Sequence, residues 1–289
     1  MKQRKIFTYS ITVLIVFASV FLFVNNREQT VDITILHTND VHSRIEPFPE
    51  NNKRFANMGG FAKRATIINN IRKEKKNVLL FDSGDFFQGT PYFNFYDGAL
   101  EIKLMSEMGY DAVTLGNHEF DNGIEHLASQ LKNAKFSTIV TNYDVSNTKL
   151  NELISSFKIF NINGIKIGVT GVGINPDGLI ASANVEGLIY HDPFETAEEK
   201  ANWLKEEKKC DFVIVLSHLG ARMNTKIDDI HLAQNSSNID MILGGHTHIF
   251  LESPMIIKNS IGKDVSIHQS GWGGSKIEQI VLQFTKKRK

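Results

Sequence analysis

Five short stretches of the chain gather side chains that can bind metal ions or move protons: Asp40 and His42, Asp85, Asn117 through Asp121, His218, and His246 with His248. Each follows an apolar run, in order ITIL, VLLF, AVTL, FVIVL and MIL. Imidazole and carboxylate without thiolate suit divalent ions of borderline to hard character, such as Mn, Zn or Fe. The set is too large for one four-coordinate ion with an open position. It fits two ions sharing a bridging carboxylate, about 3.5–4 Å apart. Asp40 and His42, like His246 and His248, are two residues apart, so in extended chain each pair faces one side. His118 and Asp121 are three apart and share a face if a helical turn begins there. A carboxylate so placed orients the imidazole and raises its pKa, giving a dyad able to protonate a leaving alkoxide. Glu119 has no such role and is expected to hydrogen-bond locally.

Taken singly, an Asp or Asn after a strand is a turn former or helix cap. That reading does not explain histidines recurring at separate strand ends. Phe86 and Phe87 in GDFFQG read as packing residues. His37, His126, His191, His231 and His268 read as structural, His37 within a strand and His126 and His231 on helices.

Elements that alternate in type must carry these residues. VDITILH, NVLLFD, AVTL, FSTIVTN, DFVIVL and IDMILGG have strand character, and helical spacing marks GGFAKRATIINNIRKEKK, ALEIKLMSEMG, IEHLASQLKNA and DPFETAEEKANWLKEEKK. KIFNINGIKIGVTGVG predicts a hairpin turning at Asn163-Gly164. PMIIK, DVSIHQS and KIEQIVLQF suggest an antiparallel end. This order predicts an α/β fold with helices on both sides of a mixed sheet, or of two facing sheets. In such folds ligands bind at the carboxyl ends of the strands, so the five stretches should converge.

The balance of 32 basic and 32 acidic residues offers no electrostatic footprint for a nucleic acid polymer. One cysteine, Cys210, excludes an internal disulfide framework and a CxxC zinc site. Residues 1–5 form a basic tail, and Ile6–Val24 carries no charge. That length approaches the roughly 20 residues of a bilayer span and exceeds a signal-peptide core. A transmembrane anchor is the favoured reading and a cleaved signal the alternative. Basic residues ahead of the span keep that end cytoplasmic, so residues 25–30 become a linker and 31–289 one exported domain, at a periplasmic or extracellular face.

HTNDVH, GDFFQG, GNHEFD, SHLG and GGHTH, in this order, resemble the calcineurin-like metallophosphoesterases, and within them the 5′-nucleotidase branch, over about residues 31–285. The resemblance implies a four-layer αββα sandwich with mixed sheets. It places Asp40, His42 and His248 on a first metal ion, Asp85 as a bridge, and Asn117, His218 and His246 on a second. His118 and Asp121 become the catalytic dyad, with Asn117 and His118 at the substrate phosphate. The implied reaction is attack of a metal-activated water on a phosphate ester, expected to be a nucleotide, as 5′-nucleotidase or 2′,3′-cyclic phosphodiesterase. Members of the branch usually carry a second domain that grips phosphate and base. The readings are therefore a self-sufficient enzyme, or the catalytic part of a split 5′-nucleotidase served by a separate substrate-binding chain. A membrane-anchored binding protein without chemistry is a third.

Overall fold

The computed structural model describes residues 28–222 and 226–287. The basic tail and the apolar segment 6–24 lie outside the described residues. Within them no helix is long and apolar enough to cross a membrane.

The chain begins β1 (Glu28–Thr38), α1 (Phe61–Glu74), β2 (Val78–Asp82), α2 (Pro91–Tyr96), α3 (Ala99–Met108), β3 (Ala112–Val113) and α4 (Ile124–Leu131). Short strands β4 (Ser137–Ile139), β5 (Tyr143–Asp144) and β6 (Ile154–Ser155) lead to the hairpin β7 (Phe157–Ile162) and β8 (Ile165–Val172). Then follow β9 (Ile189–Tyr190), α5 (Pro193–Glu206), β10 (Phe212–Ser217), α6 (Asp229–Asn235) and β11 (Met241–Gly244). The order closes with β12 (Met255–Lys258), β13 (Asp264–His268) and β14 (Glu278–Lys287).

Two six-stranded sheets result, ordered β14-β1-β2-β3-β4-β6 and β12-β13-β11-β10-β8-β7, beside a small β5-β9 ribbon. Both are mixed: β1 through β6 of the first sheet run parallel and β14 antiparallel, while β7 and β12 are the antiparallel edges of the second. Residues 28–30, expected as linker, already belong to β1, because β14 supplies antiparallel partners down to Glu28 opposite Lys287. The chain's end also differs from one antiparallel group. β12 and β13 join the second sheet, and β14 crosses back to the first.

Strand alternation sorts the core into three slabs. Val31, Ile33 and Ile35 of β1 face Ile167, Ile214, Leu216 and Leu243 of the second sheet. Leu36 and Leu80 face away, under Phe61, Ile68, Ile102, Met105 and Leu127 of α1, α3 and α4. Val213, Val215 and Ile242 lie under Ala197, Ala201, Leu204 and Leu232 of α5 and α6. The architecture is thus α/β in four layers, helix–sheet–sheet–helix. Covering on both faces explains why FVIVL is apolar throughout. Each side chain so buried contributes about 1.5–3 kcal/mol.

Local chemistry sets the boundaries. Asp192 caps α5 by accepting from the N–H groups of Phe194 and Glu195, with Pro193 in the first turn. Asn163 and Gly164, at φ 52° and 81°, make the tight turn that AsnGly predicts. The AVTL strand is trimmed to Ala112–Val113, and its chain then leaves the sheet toward Asn117. β1, β2 and β3 are parallel neighbours, as are β10 and β11, so each group's carboxyl ends share one edge.

Candidate metal centre and catalytic dyad

All five stretches meet at that edge. Asp40, His42, Asp85 and Asn117 arrive from the first sheet, and His218, His246 and His248 from the second. Asp40, His42 and His248 offer ligand atoms within 4.8 Å of one another, and so do Asp85, His218 and His246. His42 Nε2 is 3.1 Å from His248 Nε2, and His248 Nε2 is 3.4 Å from Asp40 Oδ1. Asp85 Oδ2 lies 3.1 Å from His218 Nε2 and 3.9 Å from His42 Nε2, so it reaches both groups.

The backbone is bent to achieve this. Asp40, His42, Asp85, His246 and His248 all have left-handed φ, between 49° and 68°. Such conformations cost on the order of 1–3 kcal/mol each and persist where neighbours over-determine them. Here the neighbours are identifiable. Asp40 N–H donates to Gly84 O at 3.0 Å and His42 N–H to Asp85 O at 2.9 Å, locking the loop after β1 onto the loop after β2. Across the sheets, His246 N–H donates to Asp40 Oδ1 at 3.0 Å.

A buried group that sequence reasoning treated as merely local does much of the positioning. The Glu119 carboxylate accepts from the N–H groups of Asp85, Phe86 and Phe87 at 2.9, 2.8 and 3.1 Å, and from Gly116 N–H at 2.6 Å. It thereby staples the loop carrying Asp85 to the loop carrying Asn117. Glu119→Gln replaces one acceptor oxygen by a donor that faces N–H groups. It should cost about 1–3 kcal/mol in urea unfolding, and an unchanged midpoint would remove the staple from the account.

The donor set fits divalent metal ions. Asn117 Oδ1 is buried with no hydrogen-bond partner, a carbonyl acceptor left for a cation. His218 Nδ1–H donates to Ser83 O at 2.6 Å, a tautomer assigned from that contact, which turns Nε2 toward Asp85. Burial, and then His218, lower the His246 pKa to about 4, leaving the neutral form that coordinates metal. Burial disfavours charge on His218, yet the facing Asp85 and Asp40 raise its pKa to about 10. A cation in that place would displace the proton.

His118 comes within 4.8 Å of ligand atoms of His42 and Asp85, yet its ring is hydrogen-bonded to a residue outside the candidate ligands. It opens a 3-10 turn, His118–Phe120, that brings Asp121 beneath it, with Nδ1 and Asp121 Oδ2 2.9 Å apart. Its ring centroid is 5.3 Å from that of His42, and its backbone N–H donates to Asp85 Oδ1 at 2.9 Å. The Asp121 hydrogen bond, then the Asp85 charge, outweigh burial and raise its pKa to about 9. The imidazolium therefore persists through neutral pH and is lost as pH rises through that value. Cations on the adjacent ligands would pull the pKa down again. Asp121→Asn removes the largest raising contribution, so the alkaline limb of kcat against pH should move toward lower pH. An unmoved limb would separate Asp121 from the titration.

Phe86 and Phe87 are buried in the core, His126 and His231 lie on helices, and Cys210 is a buried free thiol.

Comparison with known proteins gives a consistent picture. A family model described as calcineurin-like phosphoesterase matches residues 33–250. A 5′-nucleotidase of Rattus norvegicus is 31% identical over 277 residues, covering 89% of this chain and 47% of the relative. The trifunctional nucleotide phosphoesterase protein YfkN of Bacillus subtilis is 31% identical over 260 residues, covering 79% of this chain and 16% of its own length. Among solved structures, the NAD nucleotidase of Haemophilus influenzae superposes with a TM-score of 0.79 at 28% identity, covering 89% of this chain and 48% of that one. The 5′-nucleotidase precursor of Thermus thermophilus gives 0.75 at 30% identity, covering 88% and 55%. The chain spans about half the length of the curated 5′-nucleotidases it matches.

Proposed function

The chain belongs to the calcineurin-like phosphoesterase family, a class of metal-dependent phosphoester hydrolases using two divalent ions, and on that footing we propose that its substrate is a nucleotide. The observation that carries the chemistry is the His118–Asp121 pair, 2.9 Å apart, set beside the Asp40–His42–His248 and Asp85–His218–His246 clusters. The 5′-nucleotidase and nucleotide phosphoesterase relatives support the choice of ester.

Asp40, His42 and His248 would hold one ion and Asn117, His218 and His246 the other, with Asp85 shared. Bound there, the ions supply Lewis acidity at the phosphoryl oxygens and to the attacking water. Asp121 accepts from His118 Nδ1–H and so fixes which way the ring faces. With Nδ1 engaged, His118 Nε2–H is the proton that reaches the leaving oxygen as the P–O bond breaks. The Asn117 amide N–H groups would remain available to a phosphoryl oxygen with Oδ1, buried without a partner, given to a cation. No serine or cysteine nucleophile enters. Export of the domain is part of the same reading and rests on the uncharged run Ile6–Val24.

The test is phosphate release from AMP by the Mn²⁺-loaded chain, beside a generic aryl phosphate and a 2′,3′-cyclic nucleotide. Selective turnover of a nucleotide supports the proposal. Equal, slow cleavage of every ester would overturn nucleotide recognition while leaving the hydrolase intact.

A further inference from the structure

Directly beneath the metal centre the two sheets are joined by polar contacts rather than by apolar packing. His37 of β1 and Glu278 of β14 are cross-strand partners in the first sheet. His268 of β13 lies in the second sheet, beside Leu243 of β11. Glu278 Oε1 accepts from His268 Nδ1–H at 3.0 Å, and Glu278 Oε2 is 3.9 Å from His37 Nδ1. His37 Nε2 is 2.9 Å from Ser83 Oγ, whose hydroxyl donates to Leu243 O at 2.6 Å. Ser83 also offers its carbonyl oxygen to His218 Nδ1. His37 and Ser83 are fully buried, His268 is 4% exposed and Glu278 9%.

Hydrogen-bond accounting gives this layer a defined state. Ser83 spends its proton on Leu243 O, so it accepts from His37 Nε2–H. The other nitrogen of His37 stays 3.9 Å from Glu278 Oε2, beyond hydrogen-bond reach, and neither atom has a hydrogen-bond partner. In three of the segments it touches the layer precedes a candidate ligand. His37 precedes Asp40, Ser83 precedes Asp85, and Leu243 precedes His246.

We infer that Glu278 is a positioning residue for the metal centre: held beside His37 of β1 by strand pairing and hydrogen-bonded to His268 of the other sheet, it fixes the approach at which the two ligand sets meet. The inference rests on the dimetal reading of the site. Four candidate ligands ride on one sheet and three on the other, so a small change in sheet separation moves the two sets apart as units. Outer partners of this kind tune metal affinity about 10–100-fold.

Three variants of the full chain and a Mn²⁺ titration followed by calorimetry test it. Glu278→Ala should weaken Mn²⁺ binding about 10–100-fold. Glu278→Gln should stay close to the parent, because its carbonyl still accepts from His268 Nδ1–H, the one hydrogen bond that joins this residue to the other sheet. Should Glu278→Ala fail to fold, the double variant Glu278→Leu with His268→Leu removes donor and acceptor of the 3.0 Å hydrogen bond together, a replacement that tends to preserve stability, and leaves His37 on Ser83. It should keep its Tm and still bind Mn²⁺ more weakly. Parent-like Mn²⁺ affinity in Glu278→Ala or in the double variant, whatever happens to Tm, would overturn the positioning role. A parent chain that binds fewer than two Mn²⁺ ions would instead overturn the dimetal reading.

Discussion

His118→Ala should lower kcat on a nucleoside monophosphate about 10²–10⁴-fold, the usual range for losing a positioned general acid, while bound metal stays at the parent level. The second half follows from geometry. The contact between this residue and Asp85 is made by the His118 backbone N–H, which alanine retains. None of the seven candidate ligands is a hydrogen-bond partner of the His118 ring, whose partner is Asp121. The loss should also depend on the leaving group. A nucleoside alkoxide needs a proton as it departs, whereas a nitrophenolate does not. The same variant should therefore lose much less on an aryl phosphate. Comparing kcat for the two esters, with metal counted by elemental analysis, decides the matter. Equal losses on both would mean that His118 acts on binding or on the water and not on the leaving oxygen.

The second large effect is expected at Gly116→Ala. Glycine is required here by space. A Cβ at this position would land on Asp85 Oδ1 and lie 2.6 Å from His218 Cε1 and Nε2. Neither neighbour is free to retreat. Asp85 Oδ1 is held by His118 N–H, and His218 by Ser83 O. The methyl group must push apart the Asp85 carboxylate and the His218 imidazole, which meet at 3.1 Å. Activity should fall at least about 10²-fold, as expected when positioning at a reacting centre shifts by about 1 Å, and the ion shared by Asp85 and His218 should bind poorly. Far-ultraviolet circular dichroism should remain that of the parent, because the clash is confined to the strand-end loops. Full metal loading with parent kcat would show that the loops absorb a methyl group.

These residues were readable in the sequence to unequal degrees. The candidate ligands were legible because each sits at the end of a contiguous apolar run, and strand ends of parallel neighbours converge. The hairpin at Asn163-Gly164 was legible because its cause lies within two residues. Glu119, Ser83 and Glu278 were not, because their partners are remote in sequence: Glu119 reaches back to Asp85, and Ser83 meets Leu243 and His218. Nor does residue type announce that His246 takes φ 68°, since only the closed site enforces it. The return of β14 to β1 was hidden for a related reason. Its alternating pattern fits an edge strand of either sheet, and the partner is chosen by packing.

That return carries a consequence for biosynthesis. β1 leaves the ribosome long before β14, its antiparallel neighbour. Leu36 pairs with Gln279, and Glu28 with Lys287. At about 5–20 residues per second, the separation leaves one edge of β1 unpaired for roughly ten to fifty seconds during synthesis. Val31, Ile33 and Ile35, wholly inside the finished protein, stand on that strand for the whole interval. Edges of this kind invite pairing with other chains. The nascent domain is therefore exposed to aggregation until β14 emerges, and a holdase that binds extended apolar segments would act most usefully in that interval.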